Sequence, residues 1–163
     1  EAALALAANP EMVSRAHFAR HLVAIGACKD IGTAFRRYLG EGKPAYVRHT
    51  WASLPDAIDW IAAAGGIAVL AHPGRYGLRR ARMHALFTEF RRLGGMGVEV
   101  VSGSHSPDQT QMAAQLSIEC GLLASSGSDF HGPEESWLDL GQLAPLPDGC
   151  VPVWQHERLA PLH

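Results

Sequence analysis

Three short strand-like runs, at residues 67–71, 97–101 and 122–126, most constrain what this chain can fold into. Each is too short for a buried helix, and the first is apolar throughout, the mark of a strand covered on both faces. Between them lie two stretches with helical signals. Residues 78–93 end at Gly94-Gly95. A second helix opens at Ser106 with Pro107 in its first position and stops at Gly121. A further helix precedes the first run, capped by Ser53, with Pro55 in its first turn and Gly65-Gly66 as its stop. Helix and strand in strict alternation predict a parallel α/β sheet or barrel from residue 51 to the end. After Pro145 the chain reads as irregular, with a short strand at 151–154.

Residues 1–50 read differently, as a wholly helical region. Asn9-Pro10-Glu11 is a helix start, and Val13, Phe18, Leu22 and Ile25 recur at helical spacing before Gly26. A second helix spans 30–39, with Ile31, Phe35, Tyr38 and Leu39 on its apolar side. The loop Gly40-Glu41-Gly42-Lys43-Pro44 closes the region. Two domains are therefore expected, 1–50 and 51–163.

Composition excludes several classes. Of 163 residues, 47% are hydrophobic and 18% charged, an ordinary globular balance. Fourteen Lys and Arg against sixteen Asp and Glu leave a net charge of −2, which excludes a generally basic nucleic-acid coat. No apolar stretch approaches the roughly 18 residues of a membrane span. The Ala-rich opening lacks the basic start and cleavage site of a secretion signal. Cys28, Cys120 and Cys150 are odd in number and widely spaced, which suits reduced thiols and a cytoplasmic location. The chain opens on Glu inside a helical pattern, so it is expected to be part of a longer protein. There is no P-loop, no dinucleotide fingerprint and no nucleophile elbow around Ser125-Ser126-Gly127-Ser128.

In parallel α/β folds chemistry gathers past the carboxyl ends of the strands. His72-Pro73-Gly74-Arg75 follows the first run, Glu99 lies inside the second, and Ser128-Asp129-Phe130-His131 follows the third. Asp129 and His131 are two apart, so an extended backbone would point both to one face. Oxygen and nitrogen donors of this kind suit Mn, Zn or Fe. Alternatively, His72 merely bonds to backbone in a turn. Glu99 admits two roles: a carboxylate satisfied by backbone or an Arg, or a member of the site. On the first helix, Arg15 and Arg20 share neighbouring parts of one face beside His17 and His21. Such guanidinium groups, with Arg75, could hold a phosphate or simply be solvated. Arg36-Arg37, Arg79-Arg80 and Arg91-Arg92 read as solvated faces.

Taken together, Ala71-His72-Pro73-Gly74-Arg75-Tyr76, Gly97-Val98-Glu99-Val100 and Gly127-Ser128-Asp129-Phe130-His131 resemble the late motifs of the polymerase and histidinol phosphatase (PHP) superfamily. The segments Arg15-Ala16-His17-Phe18-Ala19-Arg20 and Tyr38-Leu39…Gly42-Lys43…Tyr46-Val47 resemble its branch of 3′,5′-nucleoside bisphosphate phosphatases and ribonuclease AM. The resemblance implies the C-terminal part of a distorted (β/α)₇ barrel, preceded by part of a small helical insertion. It implies a cluster of two or three divalent metals, commonly manganese. In it His72 ligates the second metal, Asp129 the first and His131 the third position. Arg15, His17 and Arg20 would contact the nucleotide or its phosphates, with Arg75 beside them.

The implied reaction is removal of the 3′-phosphate from nucleoside 3′,5′-bisphosphates, or 5′→3′ trimming of short 5′-phosphorylated RNA. In it a water whose pKa falls from 15.7 towards about 7 on the metals attacks phosphorus. Long duplex nucleic acid is not an expected partner. The family's opening H-x-H motif is missing, so the chain is expected to be an incomplete and inactive portion of such an enzyme. Two rivals remain, a histidinol-phosphatase-like phosphomonoesterase and a non-catalytic PHP-like scaffold.

Overall fold

The computed structural model describes residues 2–7, 9–132 and 138–159. The chain divides into two compact units, 1–51 and 52–163.

In the first unit the helix expected from Pro10 is broken into two. The Asn9 side chain accepts from the Glu11 N–H at 3.0 Å, but the turn it starts, Pro10–Met12, is a single 3₁₀ turn. Val13 returns to extended backbone, and α1 (Arg15–Ala24) begins afresh at Ser14. There the Ser14 N–H donates to His17 Nδ1 at 3.0 Å, satisfying a donor the helix start would otherwise leave open. Gly26 ends the helix region at φ +73°, a left-handed position that glycine adopts without steric cost. Asp30 caps α2 (Ile31–Ala34) by accepting from the Thr33 N–H at 2.6 Å.

The helix then widens into a π turn, Phe35–Leu39, closed by Gly40 N–H to Phe35 O at 2.8 Å. A side chain at residue 40 would press on that same carbonyl. The buried seam is Ala19, Cys28, Ala34 and Leu39, with Leu22, Val23, Phe35 and Tyr38 packed around it. Ala19 and Ala34 are both fully buried, small enough for α1 and α2 to approach closely. Phe18 and Ile25, expected on the apolar side, are instead exposed. Residues 41–53 form no helix, contrary to a wholly helical reading.

The second unit alternates as the pattern predicts. Ser53 accepts from the Asp56 N–H and starts α3 (Leu54–Ala63), with Pro55 in its first turn. Three parallel strands follow, β1 (Val69–Leu70), β2 (Gly97–Ser102) and β3 (Leu123–Gly127), in the order β1-β2-β3. Helices α4 (Arg80–Arg92) and α5 (Pro107–Glu119) connect them. Only β2 is buried as a two-faced strand should be. The first run shrinks to two half-buried residues, because β1 is paired on one side only among the described residues.

Between β2 and β3 the register slips. Glu99 lies opposite Ser125 but Val101 opposite Ser126, so Val100 is a bulge residue. Met83, Phe87 and Phe90 of α4 and Ala114 and Leu116 of α5 close the core over Val98, Val100 and Ala124. The strand expected at 151–154 is one bridge between Pro152 and Ala124, followed by a 3₁₀ turn, Val153–Gln155. Proline has no N–H with which to continue a ladder. The described part of the ending, to residue 159, is otherwise irregular apart from short turns, and the last four residues lie outside the description. No described helix is long and apolar enough to cross a membrane.

Candidate metal centre at the strand exits

Polar residues gather at or just past the strand ends: His72 after β1, Ser102 at the end of β2, and Ser128 and Asp129 after β3. Among the described residues, two non-glycine positions have a left-handed backbone: His72 at φ 34° and Asp129 at φ 54°. His72 stands just past β1 and Asp129 just past β3. For L-residues this conformation is strained, and such strain persists where the surroundings over-determine it.

His72 is anchored by its own backbone. Its N–H donates to Glu99 Oε2 at 3.0 Å, across from β1 to β2. Glu99 is thus engaged with backbone, yet among the described residues its buried Oε1 has no hydrogen-bond partner, and neither does the buried His72 Nδ1. Gly127 on β3 leaves room for that carboxylate, since a Cβ there would stand 3.1 Å from Oε1. A buried nitrogen donor and a buried oxygen donor, both unpartnered, are costly unless something supplies the missing contact. Tyr76 closes the side of the site. Its hydroxyl donates to Ala71 O at 2.7 Å, and its ring meets the His72 ring edge-on with centroids 6.3 Å apart. Burial pushes the Tyr76 phenol above its ordinary pKa, and the negative charge of Glu99 pushes it further.

Asp129 is not extended, so Asp129 and His131 do not share a face in the way strand alternation predicts. The left-handed turn links them instead through backbone. His131 Nδ1 lies 2.7 Å from the Asp129 carbonyl, which can only accept, so Nδ1 carries a proton. The Asp129 carboxylate accepts from Arg75 Nη1 at 2.9 Å, and its other oxygen lies 3.8 Å from His131 Nδ1. Arg75, a candidate phosphate ligand, therefore faces a candidate metal ligand. The structure brings together His72 with Glu99, and Arg75 with Asp129 and His131.

The connection from β2 to α5 holds both exits, and sequence reasoning missed it. His105 Nε2 accepts from the Gly74 N–H at 2.9 Å while Nδ1 lies 3.1 Å from Val100 O. A carbonyl can only accept and an N–H only donate, so His105 is the neutral Nδ1–H tautomer. Gln109 Nε2 donates to Gly74 O at 2.9 Å, while its Oε1 accepts from the Ser106 N–H and caps α5. Gly103 lies so close to the Ser128 carbonyl that any Cβ would collide with it. The only signal in the sequence was a His directly before the Ser-Pro cap, and many structural histidines look the same.

In the first unit, the Arg15 guanidinium sits 5.8 Å from the Phe35 ring centroid and 5.9 Å from that of Tyr46. His17 Nδ1 is used by the helix cap, and Arg20 is half-buried on α1. Of the arginines read as solvated, Arg80 instead ties α4 to Gln115 and Glu119 of α5.

The donors fit a divalent cation in kind, since among the described residues His72 Nδ1 and Glu99 Oε1 are buried and without a hydrogen-bond partner. They fall short in number. Among the described residues no three His, Cys, Asp or Glu side chains are close enough together to hold one ion.

No family model matches the chain. It is 55% identical over 147 residues to a 3′,5′-nucleoside bisphosphate phosphatase of Chromobacterium violaceum, covering 90% of the chain and 52% of that protein. A 5′-3′ exoribonuclease of Haemophilus influenzae is 46% identical, at 88% and 52% coverage. The 5′-3′ exoribonuclease Rnm of Escherichia coli is 42% identical, at 88% and 48%. Among solved structures, an amidohydrolase from C. violaceum with bound sulfate and no metal superposes with a TM-score of 0.87 at 52% identity, over 94% of the chain and 53% of its own. A Bifidobacterium adolescentis structure assigned as a metal-dependent phosphoesterase gives 0.71 at 26% identity, over 86% and 50%. The chain spans about half the length of the curated relatives it matches. Over that half, it is a homologue of the 3′,5′-nucleoside bisphosphate phosphatase and 5′-3′ exoribonuclease group, as its late motifs suggest.

Proposed function

We propose that this chain is the C-terminal portion of a cytoplasmic, metal-dependent phosphoesterase built on a (β/α)₇ barrel. Its substrates are nucleoside 3′,5′-bisphosphates or the 5′ ends of short RNA. The observation that carries the reading is the placement of strain. The two left-handed non-glycine residues among those described are His72 and Asp129, each at a strand exit, and His72 Nδ1 has no hydrogen-bond partner among the described residues. The named activities of the phosphatase and exoribonuclease relatives supply the substrate class.

In this reading His72, Asp129 and His131 contribute to a divalent cluster, manganese by preference, with Glu99 beside them. When bound, the ions supply a hydroxide at neutral pH and offset charge on the phosphoryl oxygens. The chain's own residues do the rest. Glu99 holds the His72 backbone. Arg75 presents a guanidinium next to Asp129, where a phosphate oxygen can replace the carboxylate as its acceptor. Tyr76, kept neutral by its surroundings, holds the Ala71 carbonyl and covers His72 from one side. Arg15, His17 and Arg20 serve the nucleotide from the helical unit. The remaining ligands come from the half of the relatives' length that this chain does not span.

The test is phosphate release from adenosine 3′,5′-bisphosphate with Mn²⁺. This chain is assayed beside a version completed to the relatives' length, with Asp129→Ala in each. Release is expected only from the completed version, and Asp129→Ala lowers it by at least about a hundredfold. An unchanged rate in Asp129→Ala would remove Asp129 from the site.

A further inference from the structure

We propose that His105 and Gln109 are positioning residues, which clamp Gly74 by its N–H and its carbonyl and so lock the left-handed backbone at which His72 stands to meet a divalent cation. The inference rests on the metallophosphoesterase reading of the same site.

Three observations carry it. The amide N–H of Gly74 donates to His105 Nε2 at 2.9 Å, and its carbonyl accepts from Gln109 Nε2 at 2.9 Å. The chain therefore cannot rotate at residue 74 without breaking at least one of these bonds. The clamp is also tight: a Cβ on Gly74 would lie 2.6 Å from His105 Cδ2 and 3.0 Å from Gln109 Cδ, so only glycine lets the two side chains approach this closely. Third, each clamping group is itself fixed by its other end. His105 Nδ1 is held at Val100 O of β2, and Gln109 Oε1 at the N–H of Ser106 where α5 begins.

What is clamped lies two residues from His72, whose carbonyl accepts from Arg75 N–H at 3.0 Å in the same turn. His72 has its backbone held at both ends, by Glu99 through its own N–H and by the clamped turn after it. Nothing described holds its buried Nδ1. The protein fixes where this imidazole sits and leaves its coordinating nitrogen to the ion. Partners behind a metal ligand contribute strongly to metal affinity without touching the metal.

The two nitrogens of His105 can be separated experimentally. A glutamine at 105 keeps an acceptor near the Nε2 position, whereas an asparagine keeps only the Nδ1 end. Mn²⁺ alone is titrated into the version completed to the relatives' length, with His105→Gln, His105→Asn and Gln109→Met. His105→Asn and Gln109→Met are expected to weaken Mn²⁺ binding about 10- to 100-fold, and His105→Gln to stay within about threefold of the parent. On this chain without metal, exchange of the Gly74 amide hydrogen should quicken in His105→Asn and stay slow in His105→Gln.

Should His105→Asn fail to fold, Gln109→Met tests the clamp from the other side of the same residue. Unaltered Mn²⁺ affinity in His105→Asn and Gln109→Met would overturn the inference. So would an equal loss in His105→Gln and His105→Asn. If the unsubstituted completed protein binds no Mn²⁺, the metal reading itself falls, and this inference falls with it.

Discussion

Tyr76 shows how one side chain records the charge of the site around it. Its phenol is raised by burial first and by Glu99 second. A raised folded-state pKa means that the neutral form is favoured in the native protein. The resulting stability is fully present below the unfolded pKa, about 10, and is lost as pH rises through the higher folded value. With the residue 39% exposed, solvent screening keeps this contribution small. The chain has three tyrosines, so the tyrosinate absorbance titration should resolve one late step, which Tyr76→Phe removes. A late step surviving in Tyr76→Phe would assign it to another residue. The same substitution deletes a hydrogen bond to Ala71 O and should cost about 1 kcal/mol in urea unfolding.

At the scale of elements, the connection between β2 and α5 is where the two exits are held to the sheet. Gly103 gives the Ser128 carbonyl room to pass, and its N–H donates to Gly127 O at 3.0 Å. Gly103→Ala should destabilise the protein by about 1–3 kcal/mol through overpacking against backbone that cannot yield. Urea unfolding measures the loss, and a change under about 0.5 kcal/mol would mean the Ser128 turn relaxes freely.

The elements themselves were largely legible. Ser53, Ser106, Pro55, Pro107 and the glycine stops mark α3 and α5, because caps act locally and sequence records local chemistry. Burial of β1 was not legible, since whether a strand is central or at an edge depends on pairing far along the chain. Nor was the turn at Asp129: side-chain alternation presumes extended backbone, and nothing in Ser-Asp-Phe-His announces φ 54°. The ligand types at the exits could be read, but the His105–Gly74–Gln109 clamp could not. It joins residues 31 and 35 positions apart through backbone atoms that every sequence shares.

At the scale of the whole molecule, each of the two units carries its own core, twelve buried residues in the larger and four in the smaller among those described. The proposed site in the larger unit includes His72 and Asp129, where a left-handed backbone works against stability. At His72 and Asp129 the backbone favours glycine, while the proposed reaction calls for an imidazole and a carboxylate. Heat resistance and turnover thus pull these two positions in opposite directions. In the completed protein, His72→Gly should raise unfolding free energy over His72→Ala by about 1 kcal/mol, with phosphate release lost in both. A library selected for thermal survival alone would then enrich glycine at 72 and 129. Sequencing the survivors would show whether evolution has kept this fold short of its most stable form for the sake of two side chains.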